Sequence, residues 1–208
     1  MARAADCLIS LFAKAPVPGQ VKTRLIPLLG AEEAARFHAE CVRRALVTAL
    51  EAGVGPVELC CAPDADSAFF REAGADGNVA LVDQGSGDLG DRMHRALARG
   101  LETHSAMILI GADCPVLEAQ DLRDAAHALR DHDTVFAPAE DGGYVLIGAH
   151  RTDRALFANI RWSTDEVMQR TRANLTSLGW TRKELRTLWD VDRPEDYLRL
   201  RGDPACAR

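Results

Sequence analysis

The chain has 208 residues, 47% of them hydrophobic and 27% charged, with a net charge of −6 and a pI near 5.5. That balance describes a globular protein with one well-filled core and disfavours a general nucleic-acid binder, which needs extended basic surface to displace counterions. No apolar run reaches the roughly 18 residues of a membrane span, and Arg3 is followed by Asp6 and a strand-like run rather than a secretory signal; one cytoplasmic domain over residues 1–208 is the expectation.

Strand-like and helix-like segments alternate from end to end, the pattern of an α/β sheet covered by helices. Residues 7–13, "CLISLFA", form a near-continuous apolar run, as in a strand buried on both faces. From Ala31 to Ala52 the apolar residues Ala34, Ala35, Phe37, Cys41, Ala45, Leu46 and Ala49 recur at helical spacing, and Gly53 supplies a stop. "VELCCA" then predicts a strand, Ser67–Glu72 a short helix and "VALVDQ" another strand. Leu89, Met93, Leu97 and Leu101 mark one face of a helix, and "AMILIGAD" reads as a central strand. Leu117–Arg130 predicts a helix, "TVFAPA" and "YVLIGA" two strands, Asp165–Leu178 a helix and "ELRTLWDV" the last strand. "RPEDYLRL" closes the chain as a helix with proline in its first turn. Six cysteines, Cys7, Cys41, Cys60, Cys61, Cys114 and Cys206, contain no CxxC pair and read as reduced core thiols.

On open α/β sheets ligands bind beyond the carboxyl ends of the strands, so the loops there carry the chemistry. The first is "FAKAPVPGQVKTRL", Phe12–Leu25, which holds two of the chain's three lysines although arginine occupies 22 positions. Gly19 permits close backbone approach, Pro16 and Pro18 stiffen the path, and Lys14 and Lys22, with Thr23 and Arg24 beside them, suit phosphate oxygens. The loop is neither a Walker A sequence nor GxGxxG.

Asp113 in "GADCP" ends the central strand, where a carboxylate needs a donor, a cation or an open cleft. It suits either a cap on the helix starting near Leu117 or a Mg²⁺ or Mn²⁺ ligand that bridges to phosphates. Asp190 and Asp192 in "DVD" would share one face if the strand ran that far, though Asp192 equally suits a cap for the closing helix. Asp141, Gly142 and Gly143 fit both a tight turn and a ligand loop. Asp88 is a candidate N-cap whose helix start could also receive a base edge or a phosphate. In "RWSTDEV", Ser163 or Thr164 would cap a helix, while Trp162 and Arg161 either pack or line an acceptor pocket. No HExxH spacing and no nucleophile triad is present.

Together "FAKAPVPGQVKTRL", "GDLGDRM", "GADCPVL", "DGGYVLIG", "RWST" and "DVDRPEDY", in order over nearly the whole chain, resemble the radical-SAM/selenodomain-associated transferase type 1 family of the glycosyltransferase-A-like nucleotide-diphosphosugar transferases. The chain more distantly resembles the guanylyltransferases of molybdenum-cofactor and phospholactate pathways. The resemblance implies a three-layer α/β/α, Rossmann-like sandwich with a mixed, mostly parallel sheet, a nucleotide held by the first loop and a divalent cation held by Asp113 with Asp192 assisting. Where relatives open with a glycine-rich loop ending in arginine, this chain has "KAPVPGQVKTR", so a base preference does not transfer. The resulting expectation is a Mg²⁺- or Mn²⁺-dependent nucleotidyltransferase or glycosyltransferase, acting on a nucleoside triphosphate or nucleotide sugar and a small-molecule acceptor. Asp113, Lys22 and Asp192 are its catalytic candidates; Lys14, Gly19, Lys22, Thr23, Arg24 and Asp88 face the nucleotide; Asp141, Gly142, Gly143, Tyr144 and Trp162 face the acceptor. The alternative is a non-catalytic nucleotide-binding partner protein with the same fold.

Overall fold

The structure, a computed structural model, describes residues 7–75 and 79–202. Seven strands form one sheet: β1 (Cys7–Lys14), β2 (Val57–Ala62), β3 (Ala80–Asp83), β4 (Ala106–Gly111), β5 (Thr134–Pro138), β6 (Tyr144–Ala149) and β7 (Arg182–Glu184). Their order is β3-β2-β1-β4-β6-β5-β7, and only β6 runs antiparallel to its neighbours. The helices are α1 (Ile26–Leu29), α2 (Ala31–Ala52), α3 (Ala68–Ala75), α4 (Leu89–Leu101), α5 (Ala119–Ala128), α6 (Val167–Leu178) and α7 (Pro194–Gly202). The chain is a three-layer α/β/α sandwich with a mixed, mostly parallel sheet.

Alternation along the strands feeds two cores. Ile9 and Leu11 of β1 and Ile108 and Ile110 of β4 pack with Val42 and Leu46 of α2 and Leu122 of α5. Leu8, Phe12, Met107 and Leu109 turn to the other face, against Met93 and Leu97 of α4 and Met168 and Leu175 of α6. A third cluster joins Leu25 of the first loop to Phe37 and Cys41 of α2 and to Trp189, Val191 and Leu200 near the C-terminus. It binds the first loop and the last connection to the same helix. The strand order reverses between β1 and β4, and beyond the carboxyl ends of strands at such a point a ligand can enter.

Most predicted elements occur within a few residues of their expected ends, and Gly53, at φ 62°, terminates α2 as read from the sequence. The last strand differs. "ELRTLWDV" does not form a continuous strand; β7 is the preceding polar triplet, followed only by an isolated bridge between Ala139 and Leu188. Pro138, which has no N–H, and a register shift at Ala137/Pro138 interrupt the β5 edge on which that strand would grow. Residues 185–191 instead follow the edge by single bonds, Leu185 N–H to Phe136 O at 2.8 Å and Leu188 N–H to Pro138 O at 2.8 Å, and then cross to β4. Asp113 does not cap α5, whose capping box is made by Glu118 and Asp121. Neither Ser163 nor Thr164 caps α6: the Thr164 hydroxyl donates to Arg161 O at 2.7 Å, and the helix begins at Val167. Cys7, Cys41, Cys60, Cys61 and Cys114 are buried, and burial pushes Cys41, Cys60, Cys61 and Cys114 up to about 12; Cys206 lies outside the described residues.

One buried ion pair fixes α4 to the sheet. Glu58 of β2, 4% exposed, receives two hydrogen bonds from Arg99, at 2.7 and 2.5 Å, and a third from the Ser10 hydroxyl. Burial alone would raise the Glu58 carboxyl, but these donors hold it below its ordinary value. Arg99→Met strands that carboxylate, and since Arg99 is partly solvated the loss should be about 2–3 kcal/mol, at the low end for a broken buried pair. Urea unfolding at pH 7 measures it; a change within about 0.5 kcal/mol contradicts this role.

Candidate active site

A cleft of about 700 Å³ opens at the carboxyl ends of β1 and β4. It gathers Lys14, Lys22, Thr23 and Arg24 from the first loop, Asp113 from the end of β4, Asp141, Gly143 and Tyr144 from the β5–β6 turn, Trp162, and both Asp190 and Asp192. Of the other predicted site residues, Gly19 stands at φ 80° in the exposed part of the loop, and Asp88 caps α4 by accepting the Asp91 N–H at 2.9 Å. Gly142 sits behind the lining at φ 89°, where an added Cβ would fall 2.2 Å from Asp165 O. Its carbonyl accepts the Met168 N–H at 2.8 Å, so a glycine-only backbone pins this turn to the start of α6.

The floor of the cleft is built on Lys22. This residue has a left-handed backbone, φ 46° and ψ 40°, uncommon outside glycine. That geometry turns its side chain inward: 3% exposed, its ammonium lies 2.5 Å from Asp113 Oδ1 and 2.5 Å from Val191 O. The Val191 N–H in turn donates to Asp113 O at 2.9 Å. Lys22 thus joins first loop, central strand and final connection at one point. The expectation of a lysine free to meet phosphate is modified here, because its charge is already placed on Asp113.

Asp113 is walled in by protein, yet 52% of its side-chain surface opens into the cleft. Burial raises a carboxyl; here the Lys22 ammonium, with His38 adding to it, more than reverses that and holds Asp113 far below the ordinary range. Burial likewise pulls on Lys22, and Asp113 raises it above its usual value. Asp192 is paired with Arg24 across the cleft mouth. Its N–H and that of Arg193 go to Asp196 Oδ2 at 3.1 and 2.8 Å, so Asp196 provides the cap considered for Asp192. Asp190 has no ion-pair partner among the described residues. Burial, then the nearby Asp141 and Asp113 carboxylates, push it up to about 6.

Two polar residues missed in the sequence complete the walls. His38, buried in α2, donates from Nε2 to Lys14 O at 3.0 Å, while Nδ1 faces Asp113 at 3.7 Å. Nδ1 is the buried side-chain nitrogen left without a hydrogen-bond partner among the described residues. Gln84 uses its amide N–H groups on Ala13 O and Cys60 O, at 3.1 and 2.9 Å, tying β1 to β2 beneath the cleft. Both sit in otherwise apolar or loop-like stretches where no motif singles them out.

A divalent cation fits this donor set on two counts: burial and the neighbouring carboxylates hold Asp190 up, and His38 Nδ1 is an orphan beside Asp113. Among the described residues no three His, Cys, Asp or Glu side chains converge to enclose an ion. A hard cation here would therefore be held by one or two carboxylates and would complete its shell with water or phosphate oxygens, the habit of Mg²⁺.

The fold and cleft define the class of nucleotide-diphospho-sugar transferase folds. A provisionally named nucleotide-diphospho-sugar transferase from Desulfovibrio desulfuricans superposes with a TM-score of 0.86 at 27% identity, covering 98% of this chain and 90% of that one. CMP:2-keto-3-deoxy-manno-octonic acid synthetase, solved with CTP, shares the fold at a TM-score of 0.57 and 14% identity, covering 95% of this chain and 98% of its own. Rv0371c of Mycobacterium tuberculosis, solved with manganese, does so at 0.56 and 22%, covering 94% and 97%. Residues 45–164 match the family model DUF2064, described as an uncharacterized protein conserved in bacteria, and the chain belongs to that family. No curated protein sequence matches it. No helix among the described residues is long and apolar enough to cross a membrane.

Two outcomes follow from the electrostatics. Lys22→Met removes the charge from Asp113 and the bond to Val191 O, and should cost roughly 2–3 kcal/mol, moderated by the solvent reaching Asp113. The double variant Lys22→Met/Asp113→Asn should recover part of that loss; strictly additive losses would contradict the coupling. Asp190, raised from an ordinary value near 4 to about 6, binds more protons in the folded state across that interval, so its contribution to stability falls as pH rises from about 4 through 6. In buffer containing a chelator, Asp190→Asn should therefore raise Tm by roughly 2–4 °C at pH 8, after allowing for solvent screening, and by almost nothing at pH 4. A shift of equal size at both pH values would contradict the assignment.

Proposed function

We propose that the chain, as one domain, is a divalent-metal-dependent transferase that takes a nucleoside triphosphate or nucleotide sugar as donor and a small molecule as acceptor. The observation carrying this reading is that the cationic first loop and the carboxylates Asp113, Asp141, Asp190 and Asp192 line one cleft at the switch point of the sheet. The sequence motifs further favour the radical-SAM/selenodomain-associated type 1 group within that class.

In this reading the donor phosphates lie along the first loop, with Lys14 and Thr23 directed at their oxygens. Asp113 and Asp192 would hold Mg²⁺ or Mn²⁺, which would supply neutralisation of charge developing on the leaving phosphate. Arg24, half-exposed and paired with Asp192 in the free protein, is the side chain placed to turn to phosphate in the loaded site, while Lys22 stays on Asp113 and Val191 O as the floor. The Asp141–Tyr144 turn and Trp162 present the acceptor to the donor. In nucleotidyl transfer the acceptor oxygen bonds to the α-phosphorus and pyrophosphate leaves; in glycosyl transfer it bonds to the anomeric carbon and a nucleoside diphosphate leaves. No covalent link to the chain is required by either route, because positioning and charge stabilisation supply the catalysis.

A thermal-shift panel of nucleoside triphosphates and nucleotide sugars, with and without Mg²⁺ or Mn²⁺, tests the reading. The expected result is stabilisation by at least one donor that requires the metal and is lost in Asp113→Asn with the fold intact. Metal-dependent stabilisation of equal size in both proteins would sink the assignment of Asp113. Metal-dependent binding without turnover of the bound donor would support the non-catalytic alternative instead.

A further inference from the structure

Four cationic side chains line the cleft: Lys14, Lys22, Arg24 and Arg92. Lys22 is committed to Asp113 and Arg24 to Asp192. Lys14 and Arg92 have no carboxylate partner among the described residues. Lys14 extends from the end of β1; Arg92 belongs to the first turn of α4 and falls within the "GDLGDRM" motif, in which only Asp88 has been given a role. We infer that Arg92 is a phosphate-binding residue of this cleft, the counterpart on α4 of Lys14 on the first loop. The inference rests on the transferase reading for the identity of the ligand, not for the presence of the anion site.

Three features support it. First, the guanidinium is oriented: Arg92 Nε donates to Gly87 O at 3.0 Å, which leaves both terminal nitrogens as a fork for a tetrahedral oxyanion. Orientation in the free state reduces the ordering cost at binding. Second, the carbonyl that does the orienting is held by a glycine-only conformation. Gly87 has φ 98°, and a Cβ there would meet Asp91 Oδ2 at 2.7 Å, so the "GDLGDR" turn cannot simply exchange this residue. Third, α4 is anchored: Asp88 caps its start, and the Arg99 pair with Glu58 holds its far end to the sheet. Arg92 is thereby half-buried at a fixed place beside the cleft.

The shared chemistry is a phosphate oxyanion, and it has two sources, the donor's diphosphate and a phosphorylated acceptor. Isothermal titration of inorganic pyrophosphate into wild type, Arg92→Gln and Arg92→Lys reads the site directly; a nucleoside diphosphate and its bare nucleoside, chosen from the thermal-shift panel, read the source. Arg92→Gln should weaken pyrophosphate by about 10- to 100-fold, the range for a lost charge-assisted pair, with Arg92→Lys intermediate and Tm unchanged for both. If the donor supplies the phosphate, the nucleoside diphosphate weakens in parallel while the nucleoside does not. If pyrophosphate depends on Arg92 but nucleotides fail to bind at all, the anion site stands, its source is a phosphorylated acceptor and the proposed donor is wrong. Equal pyrophosphate affinity in wild type and Arg92→Gln, or no pyrophosphate binding by wild type, overturns the inference. Should Arg92→Gln lose stability, Arg92→Lys decides: affinity falling only in step with Tm in both variants marks a structural arginine and also overturns it.

Discussion

The contact between the Lys22 ammonium and Asp113 governs the arrangement of this protein's cleft. Three distant parts of the chain meet there: a loop leaving the first strand, the end of the central strand and the connection into the last helix. Each would be costly alone. A carboxylate at the end of an apolar strand needs a counter-charge, a buried lysine beside Cys41 needs an acceptor, and the Val191 backbone has left the sheet that would have satisfied it. Their mutual satisfaction converts three liabilities into a fixed floor, at the expense of a left-handed lysine backbone.

That floor organises charge rather than simply removing it. Asp113 and Asp192 carry basic partners, whereas Asp190 has none among the described residues and is pushed towards its neutral form, chiefly by burial. A divalent cation accompanied by phosphates would relieve the crowded carboxylates and release Arg24 to the phosphate oxygens in the same step. The cleft is thus described better as a charge-balanced surface awaiting exchange than as a basic pocket, which agrees with a chain of net charge −6 that would still have to attract a polyphosphate.

Much of this was legible in the sequence because the relevant signals are local. The apolar run of β1, the helical spacing from Ala31 to Ala52 and the position of Asp113 after "MILIG" each report burial directly. The scarcity of lysine drew attention to Lys14 and Lys22, but composition cannot say which of two loop lysines turns inward; that depends on the φ of residue 22 and on a carboxylate far away in sequence. "ELRTLWDV" has the apolar content of a strand, and its failure to pair as one stems from Pro138 on the neighbouring edge. Arg92 looks like any arginine on an amphipathic helix, and that it has no carboxylate partner among the described residues emerges only when its neighbours are in place. His38 is similarly hidden, a histidine whose importance lies in facing Asp113 across a turn of the fold.

The central claim is that donor phosphates and a divalent cation share the space between the first loop and Asp113. Crystals grown with Mn²⁺ and a nucleoside diphosphate, measured at the manganese edge, test it most directly. The account predicts an anomalous peak beside the Asp113 carboxylate, with the diphosphate in the cleft against Lys14. Manganese bound away from Asp113, or a diphosphate seated outside the cleft, would contradict it.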